Sequence, residues 1–300
     1  MSNLREGLNE QMNILVLGGT RFFGIHLVNS LISKGHSVTI ATRGKAADSF
    51  GNKVSRLQIE RTDPENLKRQ LGKQYYDVVC DNLAYCSNDV KYLLDIIQCG
   101  RYIMTSSAAV YKNQQLLTAE QEFRPQEYQL EWCSRSDHPY DELKRQAESA
   151  LFQKCSTIPS VAVRFPYVIG EDDYTKRLLF YVDSIVHGNP INVDNPVEQI
   201  SFIKSSEAGE FLAWAVEQSF TGPVNANSLG TISLKEVMDY TEAVVGKQAI
   251  LSSDGTAGPY NGQKSFSLDV SNASSLGFAF SELGQWIHRL LDNYIIQSKA

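Results

Sequence analysis

The chain has no excess of positive charge, no long apolar run, no cysteine pairing pattern and no internal repeat. Its 300 residues carry 28 Lys and Arg against 34 Asp and Glu, a formal charge of −6. A protein that grips nucleic acid through phosphate contacts normally leaves a basic footprint, so nucleic acid is not the expected partner. No segment holds the ~18 consecutive apolar residues of a membrane span, and the polar start from Ser2 to Gln11 lacks the apolar stretch of a signal peptide. These absences predict a cytoplasmic protein with no membrane partner. The five cysteines, Cys80, Cys86, Cys99, Cys133 and Cys155, are odd in number and lack the paired short spacing of a zinc site. That pattern predicts reduced thiols and no metal. What remains is globular composition, 42% hydrophobic and 21% charged, enough for one large domain or a core plus a lobe.

The first apolar run, Ile14-Leu15-Val16-Leu17, stops at Gly18-Gly19-Thr20, and an apolar-periodic stretch over 22–32 ends near Lys34-Gly35. This reads as strand, glycine turn and helix, with 38–41 as a second, parallel strand. The alternation continues with strands over 56–60, 77–80, 101–105 and 161–165 and helices over 64–71, 90–98 and 140–153. Such alternation predicts an α/β fold, a doubly wound parallel Rossmann sheet with helices on both faces. After Pro166 the rhythm breaks, leaving helices over 178–186, 206–218, 233–245 and 281–296. We assign 12–168 to a dinucleotide-binding domain and 169–300 mainly to a smaller substrate lobe, with part of it returning to the sheet.

Gly18-Gly19-Thr20-Arg21-Phe22-Phe23-Gly24 places a glycine turn at a helix N-terminus, where free N–H groups and the positive dipole end favour a pyrophosphate. Arg21 stands where a glycine is expected, and a guanidinium there can lie over phosphate. The second strand ends in Ala41-Thr42-Arg43-Gly44-Lys45, with no acid to hold a ribose 2′-hydroxyl. Arg43, with Lys45 and Arg21, suits a 2′-phosphate, which favours NADP over NAD as the cofactor.

A Tyr-x-x-x-Lys spacing on a helix puts phenol and ammonium on one face, where the cation can make the tyrosine a usable acid or base. With 14 tyrosines about one such spacing is expected by accident, and there are two. Tyr260 and Lys264 lie in a Gly/Asn/Pro loop. Tyr140 and Lys144 open a helical run and form the chemical pair. Ser107, past the C-terminal end of a sheet strand, is placed to hydrogen-bond a substrate oxygen.

These residues resemble the extended short-chain dehydrogenase/reductases, or NAD-dependent epimerase/dehydratases, from Asn13 to about Gly277. Arg164-Phe165-Pro166-Tyr167-Val168-Ile169-Gly170, Ile203-Lys204-Ser205-Ser206-Glu207-Ala208, Pro223-Val224-Asn225 and Asp269-Val270-Ser271 share in the likeness. The resemblance implies Ser107, Tyr140 and Lys144 as the catalytic set, with Lys144 also holding nicotinamide ribose. It implies that Phe22 and Phe23 present N–H groups to pyrophosphate, that Glu60 and Arg61 flank adenine, and that Leu83 and Phe165 line the dinucleotide. A homodimer through helices flanking the sheet is a further implication.

The Gly-Gly-Thr-Arg-Phe form resembles an atypical subgroup that includes the chloroplast stem-loop RNA-binding proteins, which typically lack the tyrosine kept here as Tyr140. Nucleotide-sugar members usually carry an arginine clamp just before the segment matching Phe202-Ile203-Lys204, where this chain has Ile200-Ser201. No arginine occurs between Arg177 and Arg289. The expected function is Tyr-assisted hydride transfer with NADP or NAD on a sugar or other small carbonyl or alcohol substrate. A non-catalytic dinucleotide sensor or RNA-binding protein is the alternative.

Overall fold

The structure, a computed structural model, describes residues 11–72 and 74–300, so the polar start up to Glu10 lies outside it. In chain order come β1 (Asn13–Leu17), α1 (Phe23–Ser33), β2 (Ser37–Thr42), β3 (Val54–Gln58), α2 (Pro64–Leu71), β4 (Tyr75–Asp81), α3 (Ser87–Leu94), β5 (Gln98–Ser107), α4 (Tyr140–Lys154) and β6 (Ser160–Phe165). There follow β7 (Tyr167–Ile169), α5 (Arg177–His187), β8 (Ile191–Asn192), β9 (Gln199–Ile200), β10 (Phe202–Lys204), α6 (Ser205–Val216), β11 (Gly222–Asn225), β12 (Ile232–Ser233), α7 (Leu234–Val245), β13 (Thr256–Ala257), α8 (Ser271–Ser275) and α9 (Leu283–Lys299).

Seven strands form one parallel sheet in the order β11-β6-β5-β4-β1-β2-β3. Its chain order reverses at β1, where β2 lies on one side and β4 on the other, so the C-terminal ends of β1 and β4 open a crevice. Period-2 alternation sends Ile14 and Val16 into one core with Leu27, Val28 and Phe211, and Leu15 and Leu17 into another with Leu67, Ala147 and Leu151. The central strands are therefore buried on both faces, as the apolar runs of a parallel sheet require. A third core surrounds α5, α7 and α9.

Local signals set several boundaries. Asp63 caps α2 by accepting from Asn66 N at 3.0 Å with Pro64 behind it, and Ser233 and Glu236 form a reciprocal capping box on α7. Several boundaries differ from expectation, those of α3 and β3 among them. α3 ends at Leu94 rather than running to Gln98, because β-branched Ile96 and Ile97 lead into β5, which starts early enough to pair Gln98 with Tyr75. β3 lies two residues earlier than expected, at an edge where alternation is a weak guide.

The segment over 124–137 wraps α4. Gln146 donates to Gln129 O and accepts from Glu131 N, Gln153 Nε2 reaches Pro125 O and Tyr128 O at 2.7 Å, and Ser87 Oγ ties Glu131 O to α3. Between the sheet, α3 and this segment, every residue from Leu143 to Leu151 is buried, charged ones included.

Candidate functional site

Two glycines make the turn after β1. Gly18 and Gly19 have φ of +90° and +94°, and a Cβ at Gly24 would stand 2.9 Å from Gly19 Cα. Only glycine fits this close approach of turn and helix. No side chain caps α1, and the N–H groups of Phe22 and Phe23 find no acceptor among the described residues. Phe22 itself is held at φ 53°, uncommon for a bulky residue. The helix thus presents open donors to an anion.

These groups line a cavity of about 390 Å³ with Thr20, Arg21, Thr42, Arg43, Lys45, Glu60, Arg61, Asn82, Leu83, Tyr85, Arg135 and Tyr174. The lining holds five basic side chains and, among the described residues, one carboxylate, Glu60. Arg21, Arg43 and Lys45 are exposed. Arg61 is buried. Its Nη2 donates to Asp81 Oδ2 at 2.7 Å and Asp89 O at 2.6 Å, but Nε and Nη1 have no partner, nor has Asn82 Nδ2. Unpartnered polar atoms on two residues of the lining, together with its five basic side chains, fit a nucleotide.

Ser107 ends β5 and Tyr140 opens α4. Tyr140 is 48% exposed, yet burial at its hydroxyl end raises the phenol pKa, opposed by a hydrogen bond with Ser107 and by the charge of Arg177. The expected lysine is not what pulls the phenol down. Lys144 is buried, with Nζ donating to Ala84 O at 2.7 Å and Thr105 O at 2.8 Å and lying 5.9 Å from the Tyr140 ring centre. Burial pushes its ammonium down to about 8, against the upward pull of Asp81, Glu148 and Asp89.

Tyr85 joins this group to the cavity: its ring lies 4.9 Å from Lys144 Nζ and 6.1 Å from the Tyr140 ring. The expected cofactor residues from Gly18 to Gly24, with Arg43, Glu60, Arg61 and Leu83, line the cavity together. Phe165 does not, being packed in the core against Phe23 and Phe211 because β6 is buried on both faces. Sequence reasoning missed Tyr85, Arg135 and Tyr174. Arg135 stacks over Tyr85 at 4.8 Å and binds Asp89 and Leu83 O, from a loop with no motif of its own.

Residues 14–227 match the NAD dependent epimerase/dehydratase family. The chloroplast stem-loop binding protein of 41 kDa b of Arabidopsis thaliana is 27% identical over 208 residues, 64% of this chain and 52% of that protein. The chain thus spans about half the length of this relative. A putative epimerase from Burkholderia cenocepacia superposes with a TM-score of 0.75 at 17% identity, covering 97% of this chain and 100% of the other. UDP-glucose 4-epimerase from Thermus thermophilus, solved in complex with NAD, gives 0.69 at 16% identity over 94% and 98%. At such identities the structures share the fold, a Rossmann sheet with an added lobe. The family match covers well over half the sequence, both the glycine turn and the Tyr140 helix included, and the chain belongs to the NAD dependent epimerase/dehydratase family.

Proposed function

We propose that this chain is an NADP-preferring oxidoreductase of the epimerase or reductase kind, with Tyr140 as the proton-transfer group on a sugar or other small alcohol or carbonyl substrate. The observation that carries the reading is the meeting of Ser107, Tyr140 and Lys144 through Tyr85 with a basic cavity at an uncapped helix N-terminus. A nicotinamide dinucleotide held there supplies hydride acceptance and return.

The chain's own residues supply the rest. Gly18, Gly19 and Gly24 let the α1 N–H groups approach a pyrophosphate, and Arg43, Lys45 and Arg21 face a 2′-phosphate. Arg61 and Asn82 offer their open donors, with Glu60 and Leu83 beside them. Ser107 orients the substrate oxygen, Tyr140 takes or gives its proton, and Lys144 stays near its charge threshold at neutral pH. Residues 12–168 are the dinucleotide-binding part and 169–300 mainly the substrate lobe, with α6 and β11 serving the sheet.

Charge-assisted contacts to a 2′-phosphate are worth ~1.5–3 kcal/mol, so NADPH should bind roughly ten- to hundredfold more tightly than NADH. Fluorescence titration of both cofactors, repeated with Arg43→Ala, tests this. Equal affinities in the unaltered protein would sink the NADP assignment. With Ile200 at the clamp position, UDP-glucose should bind only in the high-micromolar range or weaker, and calorimetry showing low-micromolar binding would restore an ordinary nucleotide-sugar substrate.

A further inference from the structure

Arg177, the first residue of α5, is the last arginine before Arg289. It follows a turn with three acids, none of them ion-paired to it, and Asp173 keeps its Oδ2 without a partner. Glu171 accepts from Asn293, Asp172 from Ser205 with His26 at 3.0 Å, and Asp173 from Thr175. Arg177 makes no ion pair among the described residues, and its one hydrogen bond is from Nε to Thr175 Oγ1 at 3.2 Å. The planar fork is left with its terminal donors open.

The guanidinium lies on an aromatic shelf. It sits 4.9 Å above the Tyr167 ring and 6.0 Å from Tyr260, and Tyr181 stacks behind Tyr260 at 6.0 Å. Tyr260 is 1% exposed, and its hydroxyl is buried without any partner. The shelf borders the chemical group: Tyr167 hydroxyl donates to Gln263, Gln263 to Gln114, and Gln114 to Ala108 O, next to Ser107. Arg177 is also near enough to lower the pKa of the Tyr140, Tyr167 and Tyr260 phenols, each raised overall by burial. Its backbone approach is fixed by Lys176, held in the left-handed region at φ 54°. A side chain needed only for packing would gain nothing from an unpaired charge beside the proton-transfer group.

Resting on the oxidoreductase reading, we propose that Arg177 binds an oxyanion of the substrate, a carboxylate or phosphate monoester a few atoms from the carbon whose oxygen meets Ser107 and Tyr140. A guanidinium reads such groups in two parallel hydrogen bonds, which a lysine at the same place cannot reproduce. The substrate is thus a small polyhydroxylated acid or sugar monophosphate rather than a neutral sugar.

The test uses the full chain loaded with NADPH. The Arg177 Nε–H resonance, identified by its loss in Arg177→Lys, is followed while glucuronate, glucose 6-phosphate, glucose, UDP-glucose and inorganic phosphate are added at constant ionic strength. We expect glucuronate or glucose 6-phosphate to move it with at least about tenfold stronger binding than glucose, and Arg177→Gln to erase that difference while NADPH affinity stays unchanged. The stronger of the two names the anion. A resonance indifferent to all the anions at about 50 mM, a preference that survives in Arg177→Gln, or UDP-glucose as the strongest ligand overturns the inference. Absent NADPH binding overturns the oxidoreductase reading and this inference with it, whereas NADPH binding beside an indifferent Arg177 overturns this inference alone.

Discussion

Of the buried arginines, Arg164 and Arg61 are used differently. Arg164 on β6 spends every donor inside the protein, with Nε and Nη2 on Glu148, Nη1 on Tyr111 and Glu120 O, and Nη2 also on Phe123 O. Both partners of its ion pair are 0% exposed. Arg61, between Asp81 and the cavity, commits one terminal nitrogen and leaves Nε and Nη1 open. A buried charge must be paired, but pairing need not exhaust its donors. Full satisfaction marks a structural joint, whereas Arg61 keeps unpartnered donors on a residue of the cavity lining.

The largest effect should come from the joint. Arg164→Leu strands Glu148 in the interior and should cost about 3–5 kcal/mol of stability, and pairing it with Glu148→Leu should recover much of that. Denaturant unfolding measures both. A cost below about 1 kcal/mol for the single change would erase the distinction between the two arginines.

On the ligand side, Tyr140→Phe should keep the fold and cofactor affinity while slowing turnover by ~10²–10⁴. Steady-state rates with the substrate in hand decide it, and normal turnover would move the proton transfer to another group. Arg61→Leu should reverse the order seen at Arg164, because Asp81 still accepts from Tyr102 and Leu83 N. Its stability cost should be the smaller, about 1–3 kcal/mol, while NADPH binding weakens about tenfold or more. If NADPH affinity is untouched, the open donors do not mark a ligand side.

Lys144 adds a pH test. With its folded pKa near 8 against the ordinary 10.5, it is protonated in both states below 8. Between these values the unfolded chain holds the extra proton, so its contribution to stability rises with pH across that window, levels off above it, and is lost as pH falls through 8. The rise is on the order of 2–3 kcal/mol, and Lys144→Met should flatten it in unfolding curves taken at pH about 7.5 and 10. Smallest of all, Tyr260→Phe removes a hydroxyl with no protein partner and should change stability by about 0.5 kcal/mol or less.

What could be read in advance was whatever is written locally. The β1 run, the glycine turn, the Pro64 start of α2 and the Ser233 cap announce themselves within a few residues, and the sheet follows from their alternation. The cavity's glycines and Arg43 were legible for the same reason. Arg135 and Arg177 were not, since each acquires meaning only where a loop meets a strand end from another part of the chain. The open donors of Arg61 were equally hidden. Whether a buried arginine is fully spent depends on neighbours 20 and 28 residues away.

The wrapping of α4 bears on assembly. Two copies of a chain associate through self-complementary faces, and a helix can serve only with a side left bare. On α4 that side is taken by residues 124–137 of the same molecule, hydrogen-bonded at Gln146 and Gln153. A dimer built on this helix would first have to peel the strap away and re-solvate those amides. The strap thus closes that side of α4 with the chain's own backbone carbonyls and amides.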